Sequence, residues 1–222
     1  MYKAHWRHLL AISFAVYVTI AVVGALLVLV LTWLGALIAV LISLVGLFLV
    51  QGALVKAVDD VRDGRADLSL TETLAQVRPR LVSIVVAGVL AGIGIFLGLL
   101  LLIVPGLILL TWWFLIIPVI VLEGTSAGEA FGRSRELVRG YGWNVLGTIV
   151  LTFLLLLAFG IVLGIILTPL ADWLQNFVSN IVSGTLTAPF IALVWTLLYF
   201  RLREAKAAAA EPAPPPAAPP GT

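Results

Sequence analysis

Residues 9–55, LLAISFAVYVTIAVVGALLVLVLTWLGALIAVLISLVGLFLVQGALV, contain no charged side chain. As one straight helix this run would be about 70 Å long, about twice the thickness of a bilayer core. We therefore expect two transmembrane helices joined by a turn at Thr32-Trp33-Leu34-Gly35, where an indole favours the interface. The run predicts an all-α integral membrane protein.

The composition of the whole chain agrees with this fold class. Of 222 residues, 62% are hydrophobic and 11% charged, and the mean hydropathy is +1.19. A chain with so few polar groups cannot cover its apolar side chains in water, which excludes a soluble globular domain. The absence of cysteine excludes disulfides, thiolate catalysis, Fe–S clusters and cysteine-based zinc sites. We expect no cofactor and no nucleic-acid partner.

Polar segments and prolines divide the rest of the chain into four further spans. Span 3 is expected to end at the tight turn Pro105-Gly106, and Pro118 to kink the far end of the short span 4. A membrane domain of residues 1–204 is therefore predicted, with two short cytoplasmic amphipathic helices and six transmembrane helices at about residues 9–31, 35–55, 81–104, 107–122, 143–167 and 181–200.

Two features are predicted near the end of the chain. Pro189 lies inside span 6, where Thr185 and Thr187 could satisfy the backbone groups that the proline frees. The tail, residues 205–222 (AKAAAAEPAPPPAAPPGT), is rich in proline and lacks apolar periodicity, so we expect it to be disordered or polyproline-like.

The positive charges decide the expected topology. With six spans, every lysine and arginine falls on one side, and the opposite loops carry only Asp172 as a charge. The positive-inside rule makes the charged side cytoplasmic, so we expect a multi-pass protein of the cytoplasmic (plasma) membrane with both termini in the cytoplasm. The thirteen residues are Lys3, Arg7, Lys56, Arg62, Arg65, Arg78, Arg80, Arg133, Arg135, Arg139, Arg201, Arg203 and Lys206.

The two cytoplasmic segments resemble each other. Ser69-x-x-Glu72 and Ser126-x-x-Glu129 both fit a capping box, and each precedes an amphipathic helix. The spans that these segments join could be parallel repeats, or any short interfacial helix could look this way. The expected buried faces are Leu70, Thr73, Leu74, Val77 and Leu81 in the first helix, and Ala127, Ala130, Phe131, Ser134, Leu137 and Val138 in the second.

Residues 124–128, GTSAG, match the G-x-S-x-G pattern of serine hydrolases. That motif requires a preceding strand and a histidine base later in the chain, whereas here a membrane span precedes it and the histidines are His5 and His8. Ser126 is therefore interpreted as a helix N-cap. An interfacial hydrolase using Ser126 stays as the weakest of the alternatives.

A lipid contact is predicted on the second amphipathic helix. Arg133, Arg135 and Arg139, beside Trp143, could bind anionic lipid head groups. The alternative is that these arginines only determine topology and have no specific ligand.

From Pro105 onward the chain resembles a known family, the glycerophosphoryl diester phosphodiesterase membrane domain. The resemblance implies a stand-alone membrane domain without phosphodiesterase activity, since the His-Arg and Glu-x-Asp pairs of the catalytic domain do not occur in this sequence. It is carried by PGL at residues 105–107, IPVIVLEG at 117–124 with Pro118 and Glu123, AFGRSRELVRG at 130–140 ending in Gly140, Trp143, APF at 188–190 and LYFRLR at 198–203, and by the earlier region from Gln51 to Gly64.

These features favour a non-enzymatic membrane protein with a lipid-related or envelope role, as an accessory or scaffold component. Membrane lipids are the expected partners, and another membrane protein is an open alternative. A transporter or permease component built from parallel repeats is the second hypothesis, because Pro118 and Pro189 would kink spans 4 and 6. No Asp, Glu, Lys, Arg or His falls inside the predicted spans, which argues against proton-coupled transport.

Overall fold

The computed structural model describes residues 2–62 and 70–210, and this part of the chain contains eight α-helices and no β-strand. A 3-10 turn at Arg78–Arg80 joins the second helix to the third. The helices are α1 (Tyr2–Arg62), α2 (Leu70–Val77), α3 (Leu81–Leu101), α4 (Ile103–Trp112), α5 (Ile116–Glu123), α6 (Ala127–Val138), α7 (Gly142–Leu167) and α8 (Asp172–Ala210).

By length and composition, five helical segments in the described part could cross a membrane. They are Ile38–Arg62, Thr71–Leu101, Ile103–Glu123, Gly142–Leu167 and Leu174–Ala209, and Leu10–Gly24 is a shorter apolar segment. The predicted class, an all-helical membrane protein, is confirmed at this level.

Helix α1 is not straight, although helical residues continue from Tyr2 to Arg62. A Cβ atom on Gly24 would lie 3.9 Å from the Cβ of Ala39, and Gly46 packs against Ile20. Residues 24 and 39 would be about 22 Å apart along a straight helix, so the chain reverses direction between them. The reversal includes residues 32–35, where the turn was predicted, although the helical assignment continues through them. We call residues 2–24 the first arm and residues 39–62 the second arm.

Helix α8 packs against both arms of α1. Tyr17 of the first arm contacts Gly184, and Gly24 lies with Phe177 around one cavity, so this arm runs antiparallel to α8. The second arm runs parallel to α8 and ends where Arg62 Nη2 lies 2.6 Å from Glu204 Oε1. Both the start of α1 and the end of α8 therefore lie at the same end of the bundle.

We call this end the basic end. Arg80 donates a hydrogen bond to the carbonyl of Val121 there, and Lys206 Nζ donates to the carbonyl of Arg139 over 2.7 Å. The predicted clustering of charge is confirmed for the described side chains; those of Lys3, Arg7 and Arg65 lie outside the described part. The described cations are Lys56, Arg62, Arg78, Arg80, Arg133, Arg135, Arg139, Arg201, Arg203 and Lys206.

Helices α3 and α4 form a tight hairpin, but its turn is not at Pro105-Gly106, where it was predicted. The backbone becomes extended at Leu102 (φ −159°, ψ 139°), and Pro105 and Gly106 belong to α4. Proline is tolerated here because the first-turn N–H groups of a helix have no partner within the helix. Gly106 lies against Gly98. A Cβ atom added to Gly98 would be only 3.0 Å from the Cα of Gly106, so glycine at position 98 permits the close approach of the two helices.

The predicted span 4, residues 107–122, is two helices and not one. Residues 113–115 interrupt it between α4 and α5, and Pro118 occupies the first turn of α5. An N–H at position 118 would bind the carbonyl of Phe114 in a continuous helix, and the proline ring would clash with that carbonyl. The predicted distortion is therefore present, but it is a break before Pro118 and not a kink at the far end.

Helix α8 is longer than span 6 because it includes Asp172 to Ala210. Residues 205–210, predicted to be disordered, are helical; four of them form an alanine run, and alanine has the highest helix propensity. Residues 211–222 lie outside the described part. Thr185 Oγ1 is buried without a hydrogen-bond partner among the described residues, so its predicted role is wrong. Threonine hydroxyls reach carbonyls three or four residues earlier, whereas Pro189 frees the carbonyl of Thr185 itself.

Candidate functional site

Helix α6 lies at the basic end and begins with the predicted capping box. Ser126 Oγ accepts from the Glu129 N–H over 3.4 Å, and the Ser126 N–H donates to Glu129 Oε2 over 2.9 Å. The backbone hydrogen bond from Ser126 is the main cause that lowers the pKa of Glu129. The hydroxyl of Ser126 also donates to Glu129 Oε2 over 2.8 Å, so both of its hydrogen-bonding roles are used in the cap.

The buried face of α6 is the predicted one. Ala130, Ser134, Leu137 and Val138 are buried, and Ala127 and Phe131 are half-buried. In α2, Thr73 and Val77 are buried and Leu74 is half-buried, while Ser69 and the side chain of Leu70 lie outside the described part. The amphipathic prediction is therefore confirmed for both helices where it can be compared.

Glu123, the last residue of α5, joins three helices. One carboxylate oxygen accepts from Arg133 Nε of α6 over 2.8 Å, and the other accepts from the Tyr199 hydroxyl of α8 over 2.8 Å. The interaction with Glu123 is the main cause that raises the pKa of Arg133. Gly124 ends α5 in the left-handed region (φ 73°), which glycine adopts without steric cost. The position of α6 relative to α5 and α8 is thus set by polar contacts as well as by packing.

Ser134 of α6 fills the break between α4 and α5. Its Oγ donates to the carbonyl of Trp112 over 2.7 Å and accepts from the Leu115 N–H over 3.2 Å. The Trp112 carbonyl needs this donor because the backbone N–H of Ile116, which would be its partner in a continuous helix, donates to the Trp113 carbonyl instead. Since Ser134 is fully buried, water cannot replace these bonds. An interfacial helix therefore completes the hydrogen bonding of an interrupted helix.

A cavity of about 530 Å³ lies between α6 and α8 at the basic end. Four cations line it together with one carboxylate, that of Glu136. The cations are Arg133, Arg139, Arg203 and Lys206. We call this site the basic cavity.

The charges of the basic cavity are not balanced. Arg133 is paired with Glu123 and, over 3.3 Å, with Glu136. Arg139 and Arg203 have no ion pair among the described residues, and Lys206 binds a neutral carbonyl, that of Arg139. Three cations around one cavity therefore lack an anionic partner in the described part, which suits an anion with several oxygen acceptors.

The predicted head-group contacts separate into two groups. Arg133 and Arg139 line the basic cavity, whereas the guanidinium of Arg135 lies over the ring of Trp112, 4.1 Å from its centroid. Trp143 is 85% exposed and lines a different cavity, between α4 and α7. Arg135 and Trp143 therefore do not line the basic cavity, and this cavity does not support their predicted contact with a head group.

Sequence reasoning missed Arg203 and Lys206 as members of the site. Both belong to the Arg-rich end of α8, and Lys206 was assigned to the tail. The signal was the run of cations at residues 201–206, which follows the last apolar segment directly.

Comparison with protein-family models, with curated proteins and with solved structures finds no match to this chain.

Proposed function

We propose that the protein is a non-enzymatic membrane protein that binds anionic phospholipid head groups at its basic end, in a lipid-related or envelope accessory role. The observation that carries this proposal is the basic cavity, where Arg139, Arg203 and Lys206 lack anionic partners among the described residues. Near a charged leaflet each lysine or arginine adds about 1 kcal/mol of attraction to anionic lipid. Helix α6, with its polar exposed face, suits the membrane surface.

The topology proposed has six spans, with the basic end and both termini in the cytoplasm of a cell whose cytoplasmic membrane holds the protein. The reversal within α1 supports the sixth span, because the shorter apolar segment Leu10–Gly24 then runs alongside Ile38–Arg62. The shared position of the described cations supports the orientation through the positive-inside rule. Residues 168–171, between α7 and α8, would face the opposite side.

Membership of the phosphodiesterase membrane domain family is also a proposal, supported by the sequence motifs given above, among them those around Pro105, Pro118, Glu123 and Gly140. Three of them have structural roles here. Glu123 joins α5, α6 and α8, Pro118 follows the break, and Gly140 has a positive φ of 91° after the end of α6. A non-enzymatic role is favoured over an interfacial hydrolase because the Ser126 hydroxyl is committed to the capping box.

The lipid composition around the purified protein tests the proposed function. Extracted in mild detergent from membranes of known composition, the full-length chain is expected to retain anionic phospholipids in excess over zwitterionic ones. Mass spectrometry of the retained lipids gives the ratio. A ratio equal to that of the starting membrane would contradict head-group binding.

A transporter component is the second candidate, favoured by the interrupted helix. Broken helices in transporters place backbone groups at substrate or ion sites. Pro118 and Pro189 are both buried and do not face lipid, and Gln51 Oε1 is buried without a partner among the described residues. This candidate requires a hydrated path past Gln51, which head-group binding does not require.

A further inference from the structure

A groove of about 580 Å³ lies between α7 and α8, within the volume range of small-molecule sites. One wall is an i, i+4, i+8 row on α7 formed by Asn144, Thr148 and Thr152, with Tyr141 before it and Leu155 after it. The facing wall on α8 comprises Phe190, Val194, Leu198, Arg201 and Leu202. Of the residues of α7, Val145 alone is buried within the described part of the protein, so this groove opens to the surrounding lipid.

The groove changes in polarity along its length. Tyr141 and Arg201 lie at the basic end, Asn144 and Thr148 follow, and Leu155 and Phe190 lie farthest from the basic end. The Thr148 hydroxyl donates to the carbonyl of Asn144 over 2.8 Å, whereas the Asn144 side-chain amide has no partner among the described residues. From residue 141 to residue 155, α7 rises about 21 Å, more than half the thickness of a bilayer core. A phospholipid has the same order of groups: a charged head, polar esters and an apolar chain.

Lys206 connects the groove with the basic cavity. Its Nζ donates to the carbonyl of Arg139, which lines the basic cavity, and lies 6.0 Å from the ring centroid of Tyr141, which lines the groove. A molecule with its phosphate at Lys206 could therefore occupy both sites.

We infer that the groove between α7 and α8 holds an acyl chain of a single anionic phospholipid whose phosphate lies in the basic cavity. This inference rests on the proposed function and deepens it from attraction of head groups to a discrete site for one whole lipid. The cations select the charge, and the Asn144 amide is placed to donate to an ester carbonyl. Thr152 and Leu155 contact the acyl chain of the lipid.

Filling the groove tests this inference. Gly147 lines the groove and Gly160 does not, both belong to α7, and a Cβ atom on either would meet nothing within 4 Å. Gly147→Leu places a side chain in the groove, and Gly160→Leu adds the same side chain elsewhere on the same helix. Native mass spectrometry of the full chain, titrated with phosphatidylglycerol, phosphatidylcholine or soluble glycerol phosphate, measures the affinity and the number of bound molecules.

The expected result is one phosphatidylglycerol per chain for the wild type and Gly160→Leu, and about tenfold weaker binding for Gly147→Leu, because apolar contact is lost. Wild-type affinity in Gly147→Leu, or full competition by glycerol phosphate, would overturn the acyl-chain site and leave the proposed function standing. Equal binding of phosphatidylglycerol and phosphatidylcholine by the wild type would overturn both. Val194→Phe fills the groove from α8 and provides the same comparison if Gly147→Leu does not fold.

Discussion

Replacement of Ser134 by alanine is expected to lower the free energy of unfolding by about 2–6 kcal/mol. The hydroxyl is the partner of both the Trp112 carbonyl and the Leu115 N–H, and Ser134 and Leu115 are both fully buried. Alanine would leave two backbone groups unpaired, each costing about 1–3 kcal/mol, in a region that water does not reach. Unfolding by dodecyl sulfate in mixed micelles, followed by tryptophan fluorescence, measures the change.

The control for this substitution is Thr196→Val. Thr196 is also fully buried, but its hydroxyl donates to the Ala192 carbonyl within its own helix over 2.7 Å. Valine has a similar shape and leaves that carbonyl in the helical hydrogen-bond ladder, so only the net contribution of one hydrogen bond is lost, about 0.5–1.5 kcal/mol. Equal effects of the two substitutions would show that Ser134 has no special role at the helix break.

The triple substitution Arg139→Gln, Arg203→Gln and Lys206→Gln is expected to weaken phosphatidylglycerol binding about a hundredfold. Each lost cation removes about 1 kcal/mol of attraction, and about 3 kcal/mol corresponds to roughly two orders of magnitude in affinity. None of the three side chains has an ion-pair partner among the described residues, so their removal leaves no carboxylate unpaired there. Titration of the purified chain with labelled phosphatidylglycerol measures the loss.

A second triple variant, Arg78→Gln, Arg80→Gln and Arg135→Gln, controls for net charge, since none of these side chains has an ion-pair partner among the described residues. These cations lie at or beside the basic end but do not line the basic cavity. The expected loss is several times smaller, because only long-range attraction to the lipid changes. If both variants lose the same affinity, the basic end attracts anionic lipid only through its total charge and the cavity is not a site.

Local signals in the sequence predicted the parts of the site that depend on neighbouring residues. The capping box at Ser126 and Glu129 requires only a spacing of three residues, and the buried face of α6 follows from helical periodicity. The clustering of cations followed from the alternation of charged segments and apolar runs. Each of these patterns lies within one helix or its immediate flanks.

Contacts between distant segments could not be predicted in this way. The basic cavity joins Arg133 and Arg139 to Arg203 and Lys206, more than sixty residues later, and their proximity depends on how α6 packs against α8. The break before Pro118 also depends on Ser134, because a buried break needs hydrogen-bond partners from another helix. In addition, hydropathy marks where a membrane span ends but not where helical backbone ends. The predicted spans therefore ended before the helices do, since α1 continues to Arg62 and α8 continues to Ala210.

We propose that the basic end, with its lipid site, faces the cytoplasm. Because the chain contains no cysteine, single cysteines can report it directly. Gly128 lies in the first turn of α6 with open space around it, and Ala171 is exposed between α7 and α8. With a membrane-impermeant maleimide on intact cells, we expect Ala171→Cys to be labelled and Gly128→Cys to be labelled only after the membrane is permeabilised. Labelling of Gly128→Cys from outside, or of both positions from one side, would contradict it.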